Sequence, residues 1–299
     1  MEKKIRNKTG NGTENKKGSR AGKNLFSLIL AAVLAVGAIP CSFLPAEAEE
    51  TEFEEITVVD NDECTIRITG LDPEDWLGYT VNAYFENKSE DITYMFAVET
   101  AAVNGVMNDP YFATEVAAGK KENSEITFYS LDEDDIGEFT DIELWFRVYD
   151  SDDWTADEVA EESVHIYPNG EDNVVMFERE SQESDILVVD NDEVTMLITD
   201  FEMDDIWGYT ANLFLVNKTE ADLMISVDDV SVNGYMLDPY WATEVYAGKC
   251  AYSSMSWSLD DFETNGIEEV TEIEFLLRAY DSDDWTVDDY VNETVTITP

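Results

Sequence analysis

Hydrophobic and polar residues alternate with a period of two along several short stretches of the chain. Between positions 79 and 86, apolar residues stand at every second place with more polar residues between them. The stretches 142–148 and 273–279 show the same alternation. A period of two places every second side chain on one face, which is typical of a half-buried antiparallel strand. We therefore predict about seven short strands in each segment of roughly 110 residues, and no amphipathic helix.

The second half of the chain repeats the first. The shared motifs are VVDNDE at 58–63 and 188–193, GYT at 78–80 and 208–210, VNG at 103–105 and 232–234, DPY at 109–111 and 238–240, ATEV at 113–116 and 242–245, and YDSDDWT at 149–155 and 280–286. The offset between matching motifs stays between 129 and 131, so only short insertions separate the copies. We call 58–168 repeat one and 188–299 repeat two, and we interpret the acidic segment 169–187 as a linker.

Each repeat has the length and the strand spacing of an immunoglobulin-like domain. Asn-Gly pairs at 104–105 and 233–234 predict tight turns, because both residues tolerate positive φ. We predict an all-β protein with two tandem immunoglobulin-like antiparallel β-sandwich domains after an N-terminal signal peptide. Each repeat is expected to close its own core, so that the two fold independently like beads on a string.

Residues 1–48 are predicted to be that signal peptide. Eight of the 17 basic residues precede Leu25, an apolar run covers 25–39, and an Ala-Glu-Ala sequence ends at Ala48. This order of a basic, an apolar and a small-residue region is typical of a secretory leader, and the apolar run is short for a membrane span. We expect cleavage after Ala48 and a secreted, extracellular or cell-surface location. The alternative is an uncleaved leader, which would give the only contact with a membrane.

The charge balance excludes several classes of partner. The chain has 68 Asp and Glu against 17 Lys and Arg, a formal net charge of -51 at pH 7. Nucleic-acid binding is excluded, because affinity for phosphates needs clustered Lys and Arg. Adhesion to an anionic lipid surface is excluded for the same reason. The 44% of hydrophobic residues argues for a folded chain rather than a disordered acidic one.

Three short motifs carry a resemblance. They are ENKS at 86–89 with VNKT at 216–219, the two Asn-Gly turns, and AGK at 118–120 and 247–249. With these motifs the chain resembles uncharacterised secreted proteins of Gram-positive gut bacteria, of the Firmicutes type, that carry tandem telokin-like or immunoglobulin-like surface domains. The resemblance covers nearly all of the chain after the leader. It implies a fold and a location, and it brings no site residues.

The residues give little support to catalysis. His165 is the one histidine, and its counterpart in repeat two is Thr296. A duplicated active site is expected to keep its base, so we interpret His165 as a surface residue of a strand. Paired carboxylates are unavoidable by chance in so acidic a chain, so they do not identify a glycosidase. We predict that the protein is not an enzyme.

Calcium is the metal that the composition favours, because hard cations take clustered oxygen ligands from loops. The duplicated acidic loop that follows a predicted strand supplies the candidates Asp150, Asp152 and Asp153 in repeat one and Asp281, Asp283 and Asp284 in repeat two. Neither loop has the glycine and distal glutamate of an EF-hand. The alternative is that these acids cap turns by bonding to the nearby backbone. No other cofactor is predicted.

Aromatic residues give a second candidate site. Tyr111 and Phe112 match Tyr240 and Trp241, next to a proline in a long connection, and we predict that these four rings are exposed and bind a ligand such as a sugar. The other aromatic residues, Trp76 among them, are expected to pack in the core or to anchor loops.

Two further sets of side chains have structural interpretations. Cys64 and Cys250 lie at non-equivalent positions of the two repeats and are expected to be buried free thiols. Arg147 and Arg278 match each other and are expected to clamp carboxylates on an outer sheet face.

The sequence therefore predicts a non-catalytic protein that acts as an adhesion or ligand-binding module towards an extracellular protein or glycan. Two alternatives stay open. One is a carbohydrate-binding accessory protein of an extracellular glycan-degrading system. The other is a calcium-stabilised structural spacer.

Overall fold

The computed structural model describes residues 53–129, 136–153, 155–204, 208–284 and 286–299. The predicted leader, 1–48, lies outside these residues. Within the described ranges, no helix has the length and apolar character needed to cross a bilayer.

Repeat one and the residues just before it form nine strands in two groups. The strands are β1(Ile56–Asp60), β2(Cys64–Asp72), β3(Tyr79–Asn87), β4(Tyr94–Val103), β5(Val106–Met107), β6(Ala113–Val116), β7(Lys121–Phe128), β8(Ile142–Asp150) and β9(Ala160–Ile166). One group has the order β1-β2-β3-β7, and the other has the order β5-β4-β8-β9 with β6 also paired to β4. Within each group, neighbouring strands run antiparallel.

The chain from 186 onward has the same order of strands. They are β10(Ile186–Asp190), β11(Val194–Asp204), β12(Gly208–Asn217), β13(Leu223–Val232), β14(Tyr235–Met236), β15(Ala242–Val245), β16(Cys250–Trp257), β17(Ile273–Asp281) and β18(Val291–Ile297). One group is β10-β11-β12-β16, and the other is β14-β13-β17-β18 with β15 paired to β13. The registers also recur, since Ile56 pairs with Ile68 in β1–β2 and Ile186 pairs with Ile198 in β10–β11.

The alternating apolar positions point into two hydrophobic clusters. In β3 the buried face consists of Tyr79, Val81, Ala83 and Phe85, and in β17 it consists of Ile273, Phe275, Leu277 and Ala279. Each cluster takes side chains from both strand groups of its half of the chain. The all-β prediction is confirmed, and the packing is consistent with a β-sandwich. The residues that alternate with a period of two in the sequence therefore form the buried faces of these strands, as predicted.

Two turn motifs are required by backbone geometry. Asn104 and Gly105 both have positive φ, 51° and 85°, and they join β4 to β5 in a two-residue hairpin, which confirms the predicted turn. Gly78 directly precedes β3 at a φ of 138°, and Gly208 is the first residue of β12 at a φ of 87°. A Cβ atom at Gly208 would overlap the carbonyl oxygen of Trp257, so this position accepts only glycine.

The structure differs from the sequence prediction in two details. Each half has nine strands among its described residues rather than seven, because two-residue strands such as β5 and β14 are too short to show a period. A helix, α1(Leu259–Asn265), follows β16, with Ser258 accepting a hydrogen bond from the backbone N–H of Asp260 and Gly266 in the left-handed region as its C-cap. One buried residue, Phe262, attaches this helix to the second cluster.

The two repeats meet along what we call the inter-repeat joint, formed by Gly105 and β5 from repeat one and by Lys249 and the start of β16 from repeat two. The backbone N–H of Cys250 donates to the carbonyl of Gly105 at 2.9 Å, and Cys250 pairs in parallel with Val106. Met107 packs against the second hydrophobic cluster. A sheet of nine strands therefore continues from one repeat into the other.

Side chains complete the joint. Lys249 Nζ lies 2.5 Å from Glu143 Oε2, and both side chains are largely buried, at 14% and 10% exposure. The Trp145 and Tyr246 rings meet edge to face with centroids 4.9 Å apart. Burial without an opposite charge would be costly for either Lys249 or Glu143, so each keeps the other in place.

The predicted linker also packs against both repeats. The backbone N–H of Phe177 donates to Asn104 in repeat one, and its ring lies 6.3 Å from that of Phe214 in repeat two. Arg179 makes two hydrogen bonds to Asp185, at 2.7 and 2.8 Å, and this guanidinium lowers the pKa of the Asp185 carboxyl. Independent folding of the two repeats stays a prediction, and separating them would uncover these apolar contacts.

Both cysteine thiols of the described chain are free and buried, as predicted. Burial raises the pKa of Cys64 and of Cys250 to about 11. At neutral pH both are therefore protonated and unreactive.

Candidate functional site

Two tyrosine rings project from equivalent positions of the repeats. Tyr111 is 87% exposed and Tyr240 is 92% exposed, the highest values among the large hydrophobic side chains that the structure describes. Each lies in the connection between a two-residue strand and the strand that follows it, β5 to β6 and β14 to β15. Large rings bury about 150–250 Å² when they pack, so two rings held in solvent forgo a large stabilisation.

Local backbone geometry holds each ring outward. Asp109 Oδ1 accepts a hydrogen bond from the backbone N–H of Tyr111 at 2.6 Å, and Asp238 does the same for Tyr240 at 2.7 Å. Both tyrosines have positive φ, 53° and 52°. This conformation costs a non-glycine residue about 1 kcal/mol, and such strain concentrates at functional positions. The Asp-Pro-Tyr motif therefore presents a ring rather than filling the core.

The residues that follow the tyrosines do not share their exposure, which corrects the expectation of four exposed rings. Phe112 is half-buried and stacks on Phe85 at 5.5 Å, and Trp241 is 8% exposed. The indole N–H of Trp241 donates to Ser253 Oγ at 2.9 Å. Consecutive residues that enter an extended segment point to opposite sides, so one of each pair must turn inward.

Trp76 is a further exposed ring, although it was expected to pack in the core or to anchor a loop. It lies between β2 and β3 and is 86% exposed. Its backbone follows a local turn, in which Asp75 Oδ1 accepts a hydrogen bond from the N–H of Leu77. Composition could not predict that this ring is exposed, because the conformation of the turn determines whether the side chain points to solvent or to the core.

A groove of about 910 Å³ crosses one end of repeat one. Aromatic and acidic side chains line it, including Phe53, Glu138, Phe139, His165 and Tyr167. The His165 and Tyr167 rings stack at 5.6 Å with an interplanar angle of 15°. The groove is large enough for a small ligand, and sequence reasoning missed it because its walls are distant in the chain.

His165 lies on β9, as predicted, and both of its ring nitrogens face carboxylates. Nδ1 is 2.8 Å from Asp141 Oδ1, and Nε2 is 3.2 Å from Glu143 Oε1. Glu143 also pairs with Lys249 at the inter-repeat joint. A histidine held on both sides in this way offers no free nitrogen to a substrate, so its geometry fits a structural role.

The six candidate calcium ligands lie in two turns that hydrogen-bond locally. Asp150 Oδ1 accepts from the backbone N–H groups of Asp152 and Asp153, and Asp281 does the same for Asp283 and Asp284. Hydrogen bonds from the Thr155 hydroxyl and N–H lower the pKa of the Asp153 carboxyl. Among the described residues, no group of three or more Asp, Glu, His or Cys side chains is placed to hold a metal ion.

We expect no calcium-specific stabilisation of the protein. Four of the six carboxylates, those of Asp150, Asp153, Asp281 and Asp284, already accept hydrogen bonds within their turns, so calcium would have to displace these bonds. The measurement is thermal melting in about 0.5 M sodium chloride, where general screening is strong, with millimolar calcium or chelator. Asp152→Asn and Asp283→Asn serve as matched variants. A calcium-dependent rise in Tm that disappears in the variants would contradict this expectation and establish the site.

The two matched arginines form the expected ion pairs. Arg147 Nε lies 2.5 Å from Glu158 Oε1, and Arg278 holds Asp289 with two hydrogen bonds at 2.8 and 3.2 Å. The pairs join adjacent strands and their loops, so they act within each repeat and not on a ligand.

Comparison with known proteins assigns no family. No family model matches the chain, and no curated protein matches it significantly. Among solved structures, the exo-chitosanase CsxA of Amycolatopsis orientalis is similar at 8% identity and a TM-score of 0.19, covering 77% of this chain. The chain spans 26% of that protein's length. At this TM-score the likeness assigns neither a fold nor an activity to the chain.

Proposed function

We propose that the protein is a non-catalytic secreted or cell-surface module of two tandem immunoglobulin-like domains that binds an extracellular ligand through Tyr111 and Tyr240. One observation carries the proposal. Both rings are almost fully exposed at equivalent positions, on backbone held at positive φ. Neither ring contributes burial to the fold in return for this strain, so contact with a partner would explain why both are there.

The charge of the chain limits what such a partner can be. The net charge of -51 repels anionic polymers and favours neutral glycans or basic protein surfaces. An aromatic face stacks on the apolar face of a sugar ring or packs into a protein pocket. Two rings on one chain bind a repeating or clustered ligand with avidity, because the second contact becomes intramolecular.

The surroundings of His165 support the absence of catalysis. Both of its ring nitrogens face carboxylates, and the equivalent residue in repeat two is Thr296. The histidine therefore occurs in one repeat, whereas the exposed tyrosine occurs in both. Binding by the repeated element accounts for the repetition better than catalysis by a single histidine.

Replacing both tyrosines is expected to abolish binding without loss of stability. Each exposed ring at the centre of a contact is worth about 2 kcal/mol, so Tyr111→Ala or Tyr240→Ala should weaken binding by roughly 30-fold. The measurement is binding to an array of neutral glycans and extracellular matrix proteins. The matched control is Tyr129→Ala, another exposed tyrosine, at 63%. Binding that survives in the double variant would contradict the proposal.

The groove supports the alternative of a carbohydrate-binding accessory protein. Stacked aromatic rings beside carboxylates suit a sugar, because hydroxyl groups donate to carboxylates while a ring face packs. Tyr167→Ala distinguishes the two sites on the same array. Loss of glycan binding in Tyr167→Ala, with binding unchanged in the double variant, would place the ligand in the groove.

A further inference from the structure

Repeat two covers the edge strand β5 of repeat one. The equivalent edge strand of repeat two, β14, is uncovered. In repeat one, β5 pairs with β4 on one side and with β16 on the other. In repeat two, β14 pairs with β13, and no second partner is present among the described strands. We propose that this edge docks repeat one of a second copy of the chain, so that molecules associate head to tail by repeating the inter-repeat joint.

The acceptor surface is apolar at its centre. Tyr235 and Met236 form β14 and are 47% and 67% exposed. Their counterparts, Val106 and Met107, are covered at the joint, where Val106 is 1% exposed and Met107 packs against the second cluster. A free strand edge beside an exposed methionine invites pairing with another chain.

The donor surface is an edge of repeat one that is also free in the single chain. In the strand order β1-β2-β3-β7, β7 is terminal and pairs with β3. It is the counterpart of β16, whose first residue supplies the main-chain hydrogen bond of the joint. Lys120 and Lys121 stand where Lys249 and Cys250 stand in repeat two. A single chain therefore leaves β14 and β7 free, and these two strands are the counterparts of β5 and β16, which pair with each other at the joint.

Charge fixes the orientation of the proposed contact. At the joint, Lys249 pairs with Glu143, and the counterparts of these residues are Lys120 and Glu274. Both Lys120 and Glu274 are exposed in the single chain. A head-to-tail contact that repeats the joint would bring Lys120 of one copy to Glu274 of the next. Repeat two is otherwise strongly acidic, so the two adjacent lysines of repeat one are drawn to it.

We expect this association to be weaker than the internal joint. Phe214, Tyr246 and Tyr252 support the joint, whereas their counterparts in repeat one are Tyr84, Ala117 and Asn123. The second copy is also a separate molecule, so association costs translational and rotational entropy. The net negative charge of both copies opposes the contact at low salt. The contact joins one surface of a molecule to a different surface of the next, so each molecule keeps a free surface at either end. Association therefore produces linear oligomers rather than closed dimers.

The test is sedimentation velocity of the purified protein in about 0.5 M sodium chloride, where long-range repulsion is screened and a partly buried ion pair is screened less. We expect the average mass to rise with protein concentration. Met236→Asp should remove this rise. Glu274→Lys and Lys120→Glu should each weaken association by at least about tenfold, because each places like charges together.

An equimolar mixture of the Glu274→Lys and Lys120→Glu proteins separates the proposal from general stickiness. Each variant lacks one half of the contact, and the mixture restores Lys120 opposite Glu274, so it should associate where neither protein does by itself. Equal melting temperatures show that the variants are folded. A wild-type protein that stays monomeric to about 0.5 mM, the range of weak contacts, would overturn the proposal. A mixture no more associated than its components would overturn it as well.

Discussion

Gly208→Ala is expected to destabilise the protein by about 3 kcal/mol and to lower its Tm by roughly 10 °C. Gly208 has φ of 87°, and an added Cβ would overlap the carbonyl oxygen of Trp257 in the neighbouring strand. Backbone cannot move aside as a flexible side chain can, so β12 and β16 would have to separate at this end. Thermal and urea unfolding measure the loss.

The matched control is Gly266→Ala. Gly266 also has positive φ, 67°, but nothing lies within 4 Å of the position that a Cβ would take. Its substitution therefore isolates the cost of the left-handed conformation, about 1 kcal/mol. Equal effects at the two glycines would show that the close approach to Trp257 contributes nothing.

Asn104→Ala is expected to cost about 3–4 kcal/mol. The Asn104 side chain is 2% exposed. Its Oδ1 accepts hydrogen bonds from the N–H and hydroxyl of Thr140 and from the N–H of Asp141, and its Nδ2 donates to the carbonyls of Ile136 and Glu138. Alanine would leave buried N–H groups without acceptors and would itself occupy positive φ. Chemical unfolding, followed by the change in midpoint, measures the effect.

Two variants separate the contributions. Asn104→Gly keeps the backbone conformation and removes only the amide, so it should recover about 1 kcal/mol of the loss. Asn233→Ala removes the equivalent bonds to Thr271 and Glu272, but that site is only half-buried and water can replace the amide. A loss at Asn233 as large as that at Asn104 would contradict the role given to burial.

Short-range pattern was enough to predict the strands with clear alternation and the turns with special chemistry. The buried face of β3 and the Asn104-Gly105 hairpin follow from local sequence. The two-residue strands β5 and β14 do not, because two residues are too few to show a period, although each pairs with the strand just before it. Helix α1 has Ser258 and Gly266 as cap signals, yet its seven residues are too few to show a helical period.

The sequence identified residues of the candidate site, but it did not predict which way their side chains point. The sequence brought out Tyr111 and its neighbour Phe112 together, and the structure exposes the first and half-buries the second. That choice depends on positive φ at Tyr111, which a composition argument cannot supply. The partners of His165 were out of reach for another reason, since Asp141 and Glu143 become its neighbours only when β8 and β9 pair.

The inter-repeat joint has a mechanical consequence. Its main-chain pairing consists of one parallel pair, Cys250 with Val106, whereas the ladders inside each repeat run through many antiparallel pairs. Under tension applied at the two ends of the chain, the joint would therefore yield before either ladder. Release of 169–187 would then lengthen the molecule by roughly 60 Å, at about 3.3–3.6 Å per extended residue. Such a protein would be compliant at low force and stiff beyond it.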